Sequence, residues 1–213
     1  MAAPGAPGAK SSLPAERPRS AMEVLSEIVF GLALSVGALA LVGSPPTSPE
    51  ALYRALATFG FSFLILIGVW LAYTRLRVVG TFESGWSLRL NVVLLFTVSI
   101  EPFLFDLLVK TNQTAAFQAA VSQAFAVDLG VMTAVLGSFA VYFVAKARPD
   151  VTPEVRRRFR LEGIERWFVA GVFFVSAAPI FEQVNIDGES IRVVMWVVGL
   201  LLMWAVRLRP AHA

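Results

Sequence analysis

Cysteine is absent from the 213 residues, and histidine occurs once, at His212. No disulfide framework or thiolate metal site can therefore form. The single imidazole stands in the C-terminal tail, which removes histidine acid–base catalysis and His-rich metal sites. Charge is scarce as well: 15% of the residues are charged, against about 25% in a soluble domain. No glycine-rich phosphate loop, paired catalytic carboxylate motif or nucleophile elbow occurs. These absences speak against an enzyme and imply no cofactor.

What the chain has in excess is apolar surface. Hydrophobic residues make up 57% of it, against roughly 45–50% in soluble domains, and the surplus has to face lipid. The formal charge of +3 does not point to nucleic acid, because the basic residues sit in short clusters between apolar runs. In a membrane protein that arrangement is an orientation signal.

Residues 1–20 are rich in Ala, Pro, Gly and Ser without an apolar run, which predicts a disordered tail rather than a secretory signal. A spanning helix needs about 20 mostly apolar residues. Six segments approach that length: 22–42, 54–74, 90–109, 122–145, 167–182 and 191–206. With six spans, 15 of the 18 Lys and Arg residues collect on one side of the membrane, Arg54, Lys110 and Arg192 being opposite. That asymmetry predicts cytoplasmic termini and places the Arg156–Arg160 run in a cytoplasmic loop, with anionic-lipid binding as its second reading. Trp86, Trp167 and Tyr53 near span ends fit interfacial anchors. Pro102 and Pro179 predict kinks or helix ends. Gly130 and Gly137 are candidates for close helix approach.

Three groups of residues could carry chemistry. Glu23 and Glu27 stand one turn apart where the first span begins, beside Ser26; carboxylates there are favoured by the helix dipole. The two acids read as solvated residues at a capped start; alternatively, Glu27 and Ser26 anchor this helix to its neighbours by hydrogen bonds, or Glu27 forms part of a cation entrance. Leu32, Ser35, Val36 and Leu39 recur at helical spacing and form one stripe. Such a stripe can face lipid, pack on another helix, or line an axis as a hydrophobic constriction with a hydroxyl ring. Glu101 and Asp106 lie in the third span, and intramembrane carboxylates are functional candidates. If Pro102 ends that helix, both sit near the outer water boundary, where Asp128, Glu182, Asp187 and Glu189 join them in an acidic face.

One stretch is more specific. Val69-Trp70-Leu71-Ala72-Tyr73-Thr74-Arg75, then Asn91-Val-Val-Leu-Leu-Phe, then Pro102-Phe103 resembles the transmembrane protein 175 potassium channel family. The resemblance covers most of the first three spans. It implies six spans, cytoplasmic termini and a homotetramer around the first helix, in the cell membrane. The family hallmark at that helix, Arg-x-x-x-Phe-Ser-Asp, aligns with Ala21 to Glu27: the serine is kept as Ser26, the acid is lengthened to Glu27, Leu25 replaces the aromatic and Ala21 the arginine. By the same resemblance Leu32 falls on the pore constriction, Ser35 on the hydroxyl position, and Leu39 on the next pore-facing layer beside Val36. Ser26, Glu27, Trp70, Arg75 and Asn91 would hold the pore helix, with Tyr73 where relatives often carry histidine.

The expectation is thus an all-α integral membrane protein with six transmembrane helices: a cytoplasmic tail over 1–20, a channel domain over 21–209 and a short tail over 210–213. Its implied partners are potassium or other monovalent cations, membrane lipid and three copies of itself. A proton-coupled secondary transporter, with Glu27, Glu101 or Asp106 titrating, is the alternative. A third reading, favoured by the lost arginine and aspartate, is a non-conducting scaffold.

Overall fold

The computed structural model describes residues 20–43, 46–76, 85–110, 113–146, 151–183, 185–186 and 189–208. The tail before Ser20, Arg77, Arg148, Asp187 and the end beyond Leu208 lie outside these residues, as do the side chains of Arg54, Glu182 and Glu189. The described chain is helical: α1 (Ala21–Gly43), α2 (Pro49–Leu76), α3 (Gly85–Val109), α4 (Ala115–Ala145), α5 (Pro153–Ser176), the single turn α6 (Ile180–Gln183) and α7 (Ile191–Leu208). A two-residue antiparallel pair, β1 (Asn185–Ile186) with β2 (Glu189–Ser190), joins α6 to α7. Four helices, α1 to α4, are long and apolar enough to cross a membrane. The protein is an all-α membrane protein of six long helices.

The helix starts follow local chemistry. Ser20 and Glu23 form a capping box: Glu23 N–H donates to Ser20 Oγ and Ser20 N–H to the Glu23 carboxylate, both at 3.2 Å. Two of the unpaired donors that every helix start exposes are thereby satisfied. Thr114 caps α4 through Phe117 N–H at 3.3 Å. Thr152 caps α5 through Val155 N–H at 3.4 Å, with Pro153 at the first helical position, where its missing N–H costs nothing.

That last cap corrects the expected fifth span of 167–182. The helix begins 14 residues earlier, at Pro153, so the arginine run belongs to its first two turns and not to a loop. It also ends earlier, at Ser176, because Pro179 cannot continue it. The carbonyls freed there are taken by the buried Arg192 of α7, whose Nε donates to Ser176 O at 2.8 Å and Nη2 to Ala178 O at 3.1 Å. Its Nη1 bonds Ser122 of α4. A second correction concerns Pro102: α3 runs through it to Val109. Spanning helices tolerate an internal proline when neighbours cover the freed carbonyl, and Pro102 is buried.

The core runs across the bundle as a chain of rings. Phe30 of α1 meets Tyr73 of α2 at 5.9 Å, and Tyr73 meets Phe139 of α4 edge-on at 6.4 Å. Toward the other end, Phe61, Phe105, Phe125 and Trp196 connect α2, α3, α4 and α7 at 5.5, 5.6 and 5.1 Å. The tightest seam lies between α4 and α5. A Cβ on Gly137 would stand 3.0 Å from the Gly163 carbonyl, and one on Gly163 would stand 3.1 Å from the Gly137 carbonyl. Only glycine at both positions permits that backbone approach. Beside it a buried ion pair joins Glu162 to Arg166, which also reaches Leu136 O at 3.4 Å.

Candidate functional site: the first helix and its anchors

The two sides of α1 have opposite fates. Ser26, Phe30 and Ala33 face the bundle and are buried, Phe30 at 2% exposure. Ile28, Leu32, Val36 and Leu39 face outward, with Leu32 59% and Leu39 64% exposed. Ser35 lies among them, its hydroxyl donating to Gly31 O at 2.8 Å. That local bond satisfies the hydroxyl proton within the helix and turns the oxygen lone pairs outward.

The inner side is pinned at one point. Tyr73 OH of α2 donates to Ser26 Oγ at 2.9 Å, Asn91 Nδ2 of α3 donates to the same oxygen at 3.1 Å, and Ser26 Oγ donates to Met22 O at 2.8 Å. Ser26 is thus a four-atom junction of three helices, and its side-chain partners Tyr73 and Asn91 are fully buried or nearly so. A hydroxyl offers one proton and two lone pairs, and all three are used. The remaining residues expected around this helix sit differently. Glu27 is half-buried, and Glu23, read as one of two solvated acids, is buried against Ser20. Trp70 is half-buried against the core. Arg75 is exposed in the last turn of α2, within electrostatic reach of Arg166. Ser26, Tyr73 and Asn91 are therefore brought together, whereas no hydrogen bond joins Trp70 or Arg75 to them among the described residues.

The intramembrane acids divide. Asp106 pairs with Lys110 at 2.6 Å one turn on, at the end of α3. Glu101 is 0% exposed and accepts from Ser62 Oγ of α2 at 3.0 and 3.2 Å. The expectation that Pro102 would leave Glu101 at the water boundary is thus corrected, since the helix carries it into the bundle. Asp128 is also buried. Ser62 and Pro102 form part of the wall of a cleft of about 470 Å³ between α2 and α3, which Gly37 of α1 also borders and whose mouth carries Glu50, Asp106 and Lys110.

Sequence reading expected a capped start at Glu23, but without Ser20 as its partner, and did not expect the Glu162–Arg166 pair, although both have local signatures, Ser-x-x-Glu and an acid four residues before an arginine. It had no means to find Ser62 opposite Glu101, or Arg192 opposite Ser176 and Ser122. Those pairs are 39, 16 and 70 residues apart and depend on helix rotation.

No family model matches the chain. No curated protein matches it either. Among solved structures it is similar to a crystal structure of a variant of the potassium channel MtTMEM175 in complex with a nanobody–MBP fusion protein. The two share 14% identity over 89% of this chain and 92% of that chain, with a TM-score of 0.57. At that identity the likeness establishes a shared all-helical membrane fold.

Proposed function

We propose that the chain is a subunit of a potassium-permeable cation channel in which four copies assemble around α1. The observation that carries this reading is the division of α1. One side is fastened at Ser26 to α2 and α3, while the opposite side, aliphatic with one hydroxyl, stands exposed among the described residues of the subunit. A fourfold arrangement would bring Leu32 and Leu39 together as dry rings, with Val36 beside them and Ser35 as a polar contact between. Such a constriction excludes ions by the cost of removing their water, and widening or rotating the helices opens it. Ser26, Tyr73 and Asn91, with Glu27, Trp70 and Arg75 around them, would set the rotation of α1. The fold shared with a potassium channel supports the reading. Six spans, cytoplasmic termini and residence in the cell membrane complete it, since Arg75, Arg89, Lys146 and the arginines of α5 then share one side.

The test is potassium flux from liposomes holding the purified protein, with sodium and an impermeant organic cation as controls. Selective flux supports the proposal, and a folded tetramer that passes no ion contradicts it. A second reading rests on Glu101, a carboxylate deep in the bundle that accepts from the Ser62 hydroxyl. A carrier that uses it would give saturable, proton-coupled flux without unitary current steps.

A further inference from the structure

The outward side of α5 is built on the same plan from end to end. Arg157 and Arg160, then Leu161, Ile164, Phe168 and Val175, follow one another at helical spacing and are exposed, Phe168 at 67%. Between the last two lies Gly171, where an added Cβ would meet nothing within 4 Å, so the surface carries a shallow notch. The opposite side of the helix is buried, with Gly163 against Gly137 and Arg166 paired to Glu162. The stripe therefore stands on a helix that cannot rotate. From Arg160 to Gly171 the rise is about 16 Å at 1.5 Å per residue, close to half of a hydrocarbon core of about 30 Å.

A cationic end followed by one leaflet's depth of apolar surface has the shape and charge order of a phospholipid. We propose that an anionic phospholipid lies along this side of α5, its phosphate on Arg157 and Arg160 and its acyl chain over Leu161, Ile164 and Phe168. Guanidinium groups pair with phosphate oxygens through two parallel hydrogen bonds, and exposed arginine next to aromatic surface suits the headgroup boundary. Arg158 on the adjoining side and exposed Lys146 at the end of α4 add positive charge. Glu154, a turn earlier, and half-buried Glu165 beside Ile164 are the acids at its edge, and Arg157, Arg158 and Arg160 leave it net positive. The same charge argues against a second copy as the occupant, because a symmetric contact would set arginine against arginine. The site rests on the membrane-crossing reading. It does not need conduction: α5 packs on α4 and α7, whereas α1 packs on α2 and α3.

The experiment is native mass spectrometry of the purified full chain in detergent, titrated with phosphatidylglycerol or with phosphatidylcholine of matched chains. Phosphatidylglycerol should be retained preferentially. The preference should fall about fivefold for each arginine removed, so R157Q/R160Q should lose nearly all of it and Lys110→Gln at the other end none. Equal binding of the two lipids, or a preference that survives R157Q/R160Q, overturns the proposal. So does displacement by inorganic phosphate alone, which would make the site one for free anions, or efficient cross-linking between copies through Ile164→Cys. Should R157Q/R160Q fail to fold, the native chain still decides, because the preference must weaken in 0.5 M NaCl and a salt-independent one contradicts it. Lipid preference without ion flux would sink the channel reading alone, and flux without lipid preference would sink this one alone.

Discussion

Helices α1 and α4 are alike in composition and opposite in circumstance. Both are apolar along nearly their whole length and carry small and hydroxyl residues at intervals. Yet α4 is packed by α2, α3 and α5, and its buried residues occur on every side, while α1 is buried only where it meets α2 and α3. An apolar helix in a membrane has no obligation to hide, since lipid is as apolar as the core. What separates the two is where directional contacts fall. In α4 the close approach at Gly137 leaves no room for a side chain; in α1 the contacts converge on Ser26 and leave the outer stripe free for lipid or for other copies of the chain.

Substitutions can break or sharpen that contrast. The largest effect should come from the crowded seam. Gly163→Val forces atoms against the Gly137 carbonyl, Ala140 and Val141, each already a few tenths of an ångström too near for a Cβ, and should cost about 3 kcal/mol, seen as a lowered thermal midpoint in detergent. Next is Ser26→Ala, which removes the acceptor shared by the Tyr73 hydroxyl and one Asn91 N–H in a buried place. A loss of about 2 kcal/mol is expected, and Ser26→Thr should recover part of it. Ser62→Ala removes the partner of buried Glu101 and should cost about 1–2 kcal/mol, a loss that Glu101→Gln on the native background should not match because an amide oxygen still accepts from Ser62. Smallest in stability are Leu32→Ala and Ser35→Ala, on the uncovered stripe, at about 0.5 kcal/mol or less each. These two should nonetheless change ion flux, Leu32→Ala by raising it and Ser35→Ala by altering ion preference. If Ser35→Ala destabilised the fold as much as Ser26→Ala, the division of α1 would be wrong.

The helices were legible in the sequence because length and hydropathy are local properties. The start of α5 was not, although Thr152-Pro153 is a helix-start signal, because the arginines that follow read as loop when hydropathy alone sets the boundary. Pro102 misled in the same way: proline marks a helix end in water, but a bundle can cover the carbonyl it frees. The stripe of Leu32, Ser35, Val36 and Leu39 was visible from spacing, but its exposure was not, since spacing defines a side without saying what meets it. The meeting of Ser26 with Asn91 spans 65 residues, and no local pattern encodes it. Only the resemblance at Trp70, Arg75 and Asn91 pointed there, and of these Asn91 alone reaches Ser26.

The chain's lack of cysteine makes the central claim directly accessible. Single substitutions Leu32→Cys on the uncovered stripe and Ala33→Cys on the buried side, each in liposomes loaded with potassium, would be treated with a membrane-impermeant thiol reagent during flux. The account predicts that Leu32→Cys is blocked and Ala33→Cys is not. Unimpeded flux through a modified Leu32→Cys channel would contradict a pore on α1.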